Sequence, residues 1–97
     1  MLEEDDVTCV SFDQSGRMLA VGDKSGRLIV FQNQENIHPA QEYDYHFEFE
    51  AHKQQYDTLK NLFIPEKISH IHWMRPQGQY QRLLTTSAHS IHRWKVN

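Results

Sequence analysis

Two histidines are the first residues in this chain that could do chemistry. His70 and His72 stand two apart among apolar residues, so on a strand their side chains share a face. Such a pair can seed a zinc site when a third ligand joins it. No cysteine accompanies them and no acidic residue stands at ligand spacing, so polar strand surface is the expected role, and neither a metal nor any other cofactor is assigned. Cys9 is the single cysteine. It has no second thiol with which to form a disulfide, which fits a reducing compartment, and its place in an apolar alternation reads as a small buried strand residue. The run Gly22-Asp23-Lys24-Ser25-Gly26 has the glycines of a phosphate loop. A strand follows it rather than a helix, which makes it a hairpin turn. Nothing resembles a nucleophile beside its base, so no catalytic residue is assigned and the expected work is binding other proteins.

The totals agree with that direction. A chain of 97 residues buries only about 60 to 65% of the surface its unfolded form exposes. Apolar residues make up 38%, so a self-sufficient barrel with a full interior is not expected. The aromatic share of 11% is nonetheless too high for a disordered tail. Ten Lys and Arg face 13 Asp and Glu, for a net charge of −3, which gives no footprint for a phosphate backbone and excludes nucleic acid as the expected partner. No apolar run approaches the roughly 18 residues that span a bilayer, so no membrane contact is expected. The start Glu3-Glu4-Asp5-Asp6 is not a signal peptide; it reads as solvated surface, or as an attractor of basic partner segments. A cytoplasmic location is expected, with the nucleus as second choice.

The elements that would position these residues are mostly strands. Val7 to Phe12, Met18 to Gly22 and Arg27 to Gln32 are rich in β-branched and apolar residues. They are separated by Asp13-Gln14-Ser15-Gly16 and Asp23-Lys24-Ser25-Gly26, where Asp bonds its own backbone and Gly supplies a positive φ. Loops this short join antiparallel neighbours, so the three form a meander. Residues 33–41 lack periodicity and read as a polar loop. Tyr43, Tyr45, Phe47 and Phe49 then fall on every second position, the pattern of an outer strand with one face buried. Over 53–67 the period changes: Tyr56, Leu59 and Phe63 recur at i, i+3 and i+7, with Leu62 beside them and Pro65 as a stop. This spacing predicts a short amphipathic helix.

After that insert the opening pattern returns. Val7, Val10 and Phe12 match Ile68, Ile71 and Trp73; Gly16 matches Gly78, Leu19-Ala20 matches Leu83-Leu84, Leu28 matches Ile91, and Phe31 matches Trp94. The unit is a four-stranded meander seen once whole (7–52) and once without its last strand (68–97).

The stretch Val10-x-Phe12-Asp13-x-Ser15-Gly16-x-x-Leu19-Ala20-x-Gly22-x-x-x-Gly26-x-Leu28-x-x-Phe31 resembles a WD repeat, as does Leu83-Leu84-Thr85-Thr86-Ser87 running on to Ile91-His92-Arg93-Trp94-Lys95. The resemblance implies an all-β fold, a WD-repeat β-propeller fragment of one and a half to two blades with a short inserted helix. Phe12 and Trp73 lie 61 residues apart where an ordinary repeat takes about 40 to 45, so insertions are implied. Gly22-Asp23-Lys24-x-Gly26-Arg27, Phe31-Gln32, Glu42-Tyr43, Phe49-x-x-His52, Tyr56-Asp57-x-Leu59-Lys60-x-Leu62, Glu66-Lys67-Ile68 and Trp94-Lys95 are together similar to the 55 kDa class of regulatory B subunits of protein phosphatase 2A, in the N-terminal part of their propeller. Phe63 and Ala88-His89 depart from that pattern.

What the resemblance implies is a non-catalytic subunit that selects phosphoprotein substrates and is held to the phosphatase scaffold (A) and catalytic (C) subunits. A generic WD-repeat scaffold unrelated to dephosphorylation is the alternative. Lys24, with Glu3 close by, would lie on the face where substrates dock. The helix would border the substrate groove, leaving Tyr56 and Leu59 as either buried contacts or a docking patch. Phe12, Phe31, Trp73 and Trp94 are expected to anchor their strands, and His52 to join Trp94 and either Thr86 or Ser87 in the hydrogen-bonded set of such blades, without the usual Asp.

Overall fold

A computed structural model describes residues 7–33, 43–64, 66–78 and 80–96, with 55–57 and 63 described by backbone alone. Among the described residues nine strands run in chain order: β1 (Val7–Phe12), β2 (Met18–Asp23), β3 (Arg27–Gln32), β4 (Asp44–Glu50), β5 (Gln55–Asp57), β6 (Leu62–Ile64), β7 (His70–Gln77), β8 (Tyr80–Thr86) and β9 (Ile91–Val96). β1-β2-β3-β4 form one antiparallel sheet, β7-β8-β9 a second, and β5-β6 a small hairpin between them in sequence. The chain is all-β, part of a WD-repeat propeller with one four-stranded and one three-stranded blade.

The blades meet at their first strands. β7 lies against β1 and β2, and Trp73 Nε1 donates to the Ser11 carbonyl across that seam at 2.9 Å. Alternation along each strand decides which residues enter the seam. From the first blade come Cys9, Ala20, Leu28, Val30, Phe47 and Phe49; from the second, Ile71, Trp73, Leu83 and Trp94. Leu28, Val30, Ile68 and Leu83 have no exposed surface, each worth about 1.5 to 3 kcal/mol of burial. Gly22 allows the close approach, since a Cβ there would stand 2.8 Å from Ile68 Cγ2.

Two expectations are corrected. No helix occupies 53–67 among the described residues; Gln55, Tyr56 and Asp57 pair with Ile64, Phe63 and Leu62 in an antiparallel hairpin. Asn61 takes a φ of 57° at the close of its turn, a left-handed conformation that Asn tolerates and a helix does not contain. The second correction concerns β4. Val30 pairs with Phe47 but Phe31 pairs with Tyr45, so His46 is an extra residue in a bulge. Phe47 and Phe49 therefore face the second blade, while Tyr45 is thrown to the other face, edge-on to Phe31 with ring centres 6.3 Å apart.

Candidate functional site

The β2–β3 turn, the chain leaving β4, the segment entering β7 and the β8–β9 turn converge at one end of the two blades. Asp23 organises the first of these. Its Oδ1 accepts from Ser25 N, Ser25 Oγ and Arg27 N at 2.8 to 2.9 Å, and its Oδ2 from Arg27 Nε at 3.1 Å. Burial alone would raise the pKa of this carboxyl, but the bonds from Arg27 and Ser25 outweigh it and hold the group below its ordinary value. The Asp23 carbonyl accepts Ile68 N at 3.1 Å, and the Gly26 carbonyl accepts Ala51 N and His52 N at 2.9 and 3.1 Å. One turn of the first blade thus ties down both ends of the insert.

His52 is the buried centre of the cluster, with 1% of its surface exposed. Its Nε2 lies 2.9 Å from Thr85 Oγ1, and its Nδ1 lies 3.1 Å from Ser90 Oγ. Trp94 Nε1 is 3.0 Å from the same Thr85 hydroxyl. An indole N–H can only donate, so the Thr85 hydroxyl accepts it and keeps a second lone pair and its own hydrogen for His52 Nε2, the direction following the ring tautomer. Nδ1 faces Ser90, whose hydroxyl stands 3.2 Å from Ser87 Oγ. Burial first, and then the charge of His92, lower the His52 pKa, opposed in part by a hydrogen bond with the Thr85 backbone and by Glu66. His92 stacks on His52 with ring centres 4.4 Å apart and donates Nδ1–H to the Ala51 carbonyl at 2.8 Å.

Ser90 and His52 form a serine–histidine pair, but among the described residues no carboxylate holds the second ring nitrogen as in a catalytic triad; it meets the Thr85 hydroxyl instead. The set expected from sequence used Thr86 or Ser87; the structure puts Thr85 between His52 and Trp94, with Ser87 joined through Ser90. Strand alternation is the reason: Leu83 and Thr85 point into the seam, and Thr86 points away. Ser90 occupies the place where an orienting Asp was missed. The signal for Thr85 was present in the Leu83-x-Thr85 spacing.

Beside this network lies a groove of about 300 Å³ lined by Lys24, Glu66, Lys67, Ser69, Ala88 and His89. Glu66 is 4% exposed, and His89 Nδ1 approaches its Oε2 to 3.1 Å. Glu66 and His89 enter the sequence reading only in the motif Glu66-Lys67-Ile68 and the departure Ala88-His89, and neither they nor Ser90 are given a site role there, having no periodicity to mark them. Of the expected site residues, Lys24 lines this groove. Leu59 sits in the β5–β6 turn, 95% exposed. Tyr56 is in β5, and because that segment is a strand, residues 56 and 59 do not share a helical face. Glu3 lies outside the described residues. Phe12 is 54% exposed and packs on Tyr43 at 5.8 Å, while Trp94 meets Phe49 edge-on at 4.7 Å. His70 and His72 are both exposed on β7.

No protein-family model matches the chain. A curated pig (Sus scrofa) protein, the beta isoform of the 55 kDa regulatory B subunit of serine/threonine-protein phosphatase 2A, is 36% identical over 99 residues, an alignment covering 98% of this chain. The chain is a homologue of the 55 kDa regulatory B subunits of protein phosphatase 2A. It spans 22% of the length of that relative. The kinship with this regulatory class runs through both blades and the hairpin between them, so the convergent end described above lies wholly within the matched region.

Proposed function

We propose that this chain acts as a non-catalytic regulatory B-type component of a serine/threonine protein phosphatase 2A complex, binding its scaffold and catalytic subunits and presenting the convergent end of the blades to phosphoprotein substrates. The observation that carries this is the 36% identity over 98% of the chain to a B-type regulatory protein of that phosphatase. The geometry fits a binding role: the buried His52 set is spent on structure, Lys24 and His89 line the groove beside it, and Leu59 projects from the β5–β6 turn. Cytoplasm, and nucleus besides, is where such a component would work.

The test is recovery of partners with the tagged full chain from cells. Co-purification of the phosphatase scaffold and catalytic chains, with phosphatase activity in the eluate, is the expected result. A chain that folds and recovers other proteins but neither of those phosphatase chains would be a WD-repeat interaction scaffold of a different kind, and the proposal would be lost.

A further inference from the structure

The groove beside the His52 set is walled by turns from both blades and by no free strand edge. Lys24 belongs to the β2–β3 turn, Glu66, Lys67 and Ser69 to the segment entering β7, and Ala88 and His89 to the β8–β9 turn. Each wall is tied down. Asp23 Oδ1 accepts Ser25 N and Arg27 N just past Lys24. Ile68 N, next to Lys67, donates to the Asp23 carbonyl, and Ser69 N donates to the Thr86 carbonyl at 2.7 Å. The side chains of the groove therefore stand on backbone that is ordered before any ligand arrives, which lowers the cost of binding one.

The charge gathered there has the sign that the chain as a whole lacks. The net charge of the protein is −3, yet the groove sets Lys24, Lys67 and His89 against Glu66 alone, an excess of positive charge even with the histidine neutral. Glu66 is itself engaged. It is buried, and its two carboxylate oxygens lie 3.1 and 3.4 Å from His89 Nδ1. An ionised carboxylate only accepts, so Nδ1 carries the hydrogen and the outer nitrogen, Nε2, is the one offered to a ligand. Ala88, exposed between these groups, brings no charge to the turn.

We propose that this groove is a subsite for a phosphorylated side chain of a protein substrate, with Lys24 and Lys67 supplying the opposite charge and His89, positioned by Glu66, giving Nε2–H to a phosphate oxygen. A phosphorylated serine or threonine carries a charge of about −1.5 to −2 and three acceptor oxygens. Three cationic donors on separate turns match it, whereas a carboxylate, with one charge and two oxygens, leaves part of the set unmet. This subsite rests on the reading of the convergent end as the face presented to phosphoprotein substrates, and it adds to that reading a phosphate held by this chain's own residues.

The test uses the full chain, without phosphatase subunits, and three short fluorescent peptides of glycine and serine that differ at one central position: phosphothreonine, threonine or glutamate. The phosphothreonine peptide should bind saturably at low salt with a Kd below about 1 mM, lose affinity as the screening length shrinks from about 30 to about 10 Å, and be displaced by inorganic phosphate. The glutamate peptide should bind at least about fivefold more weakly. Lys24→Glu with Lys67→Glu should weaken the phosphopeptide at least about tenfold, and Ala88→Asp or His89→Ala at least about threefold. His89→Lys keeps a cation in place and should stay within about threefold of the wild type, as should the remote pair Arg75→Glu with Arg93→Glu, which makes the same change in net charge. Equal binding of the threonine or glutamate peptide by the wild-type chain overturns the proposal with no variant needed, as does the lack of saturable phosphopeptide binding up to about 5 mM. Undiminished binding by the folded Lys24/Lys67 variant, or an equal loss in the remote pair, overturns it too. Recovery of the phosphatase chains from cells without phosphopeptide binding would remove the subsite alone; phosphopeptide binding without those chains would leave the subsite standing and remove the phosphatase reading.

Discussion

His52 carries a pH dependence whose sign follows from its surroundings. The ring is buried with the Thr85 and Ser90 hydroxyls against its two nitrogens, so a second ring proton would place a charge out of water and beside His92. Its folded pKa therefore lies below the ordinary 6.5. In the unfolded chain it protonates near that ordinary value, so between the two values the unfolded state holds more protons. This contribution to stability is complete above 6.5 and is lost as pH falls through the folded pKa. Urea midpoints taken from about pH 8 down to about pH 5 should drop on the acid side, and His52→Gln should flatten that drop; an unchanged slope in the variant would remove His52 as its source. Gly26 makes a sharper case. Its φ is +93°, and a Cβ would fall on the carbonyl oxygen of His52, the residue whose own N–H donates to the Gly26 carbonyl. Gly26→Ala should cost more than about 3 kcal/mol, the range of rigid clash plus strain. Gly16→Ala, at φ +80° with nothing within 4 Å, should cost about 1 to 2 kcal/mol. Equal losses in urea unfolding would show that the close approach at Gly26 is of no consequence.

At the scale of elements, the insert separates what pattern can and cannot reveal. Tyr56, Leu59 and Phe63 satisfy helical spacing, yet an i, i+3, i+7 match over so short a run is also met by two strand residues that face each other and one that rides the turn between them. Tyr56 and Phe63 are that facing pair, and Leu59 is the one on the turn. The readings part at Asn61. In a helix, Asn61→Ala would stabilise; in a turn where φ is 57°, Asn61→Gly should be neutral or stabilising and Asn61→Val should cost about 1 to 2 kcal/mol. Hydrogen exchange of the β5–β6 amides would register the difference locally. Leu59 follows from the same geometry. A side chain 95% exposed contributes little to folding, so Leu59→Ala should leave unfolding within about 0.5 kcal/mol. As a docking anchor it should weaken capture of a partner by about 2 kcal/mol. A loss of stability equal to the loss of binding would return Leu59 to a packing role. The β4 bulge belongs here too: a one-residue slip at His46 changes which face every earlier side chain occupies, and nothing in the aromatic alternation announces it.

Among the described residues one seam is closed and one apolar face of the first blade is exposed. Val10, Phe12 and Tyr45 are 57%, 54% and 59% exposed, on the side of the first blade away from the second. The counterparts of Val10 and Phe12 in the second blade, Ile71 and Trp73, are among the residues that fill the existing seam. The repeat thus shows what that open face is shaped for, which is packing on another sheet. The chain by itself should therefore self-associate at concentrations where its fold is populated, and sedimentation should show mass rising with concentration. Phe12→Glu should shift the distribution toward monomer without altering the strand signal in circular dichroism; a wild-type chain that sediments as a sharp monomer across the range would contradict this. Strand order, the hairpin turns and the repeat were legible in the residues alone, because a period of two and the Asp/Gly turns are local properties that need no partner to express themselves. The kinship with the phosphatase regulatory class lay there as well, in spaced motifs. The tertiary structure alone decided that 53–67 is a hairpin, that His46 bulges, that Thr85 and not Thr86 completes the His52 set, and that Lys24, Lys67 and His89 line one groove. Each of these depends on which faces two distant strands bring together, and a pattern read along one strand holds no information about the strand it will meet.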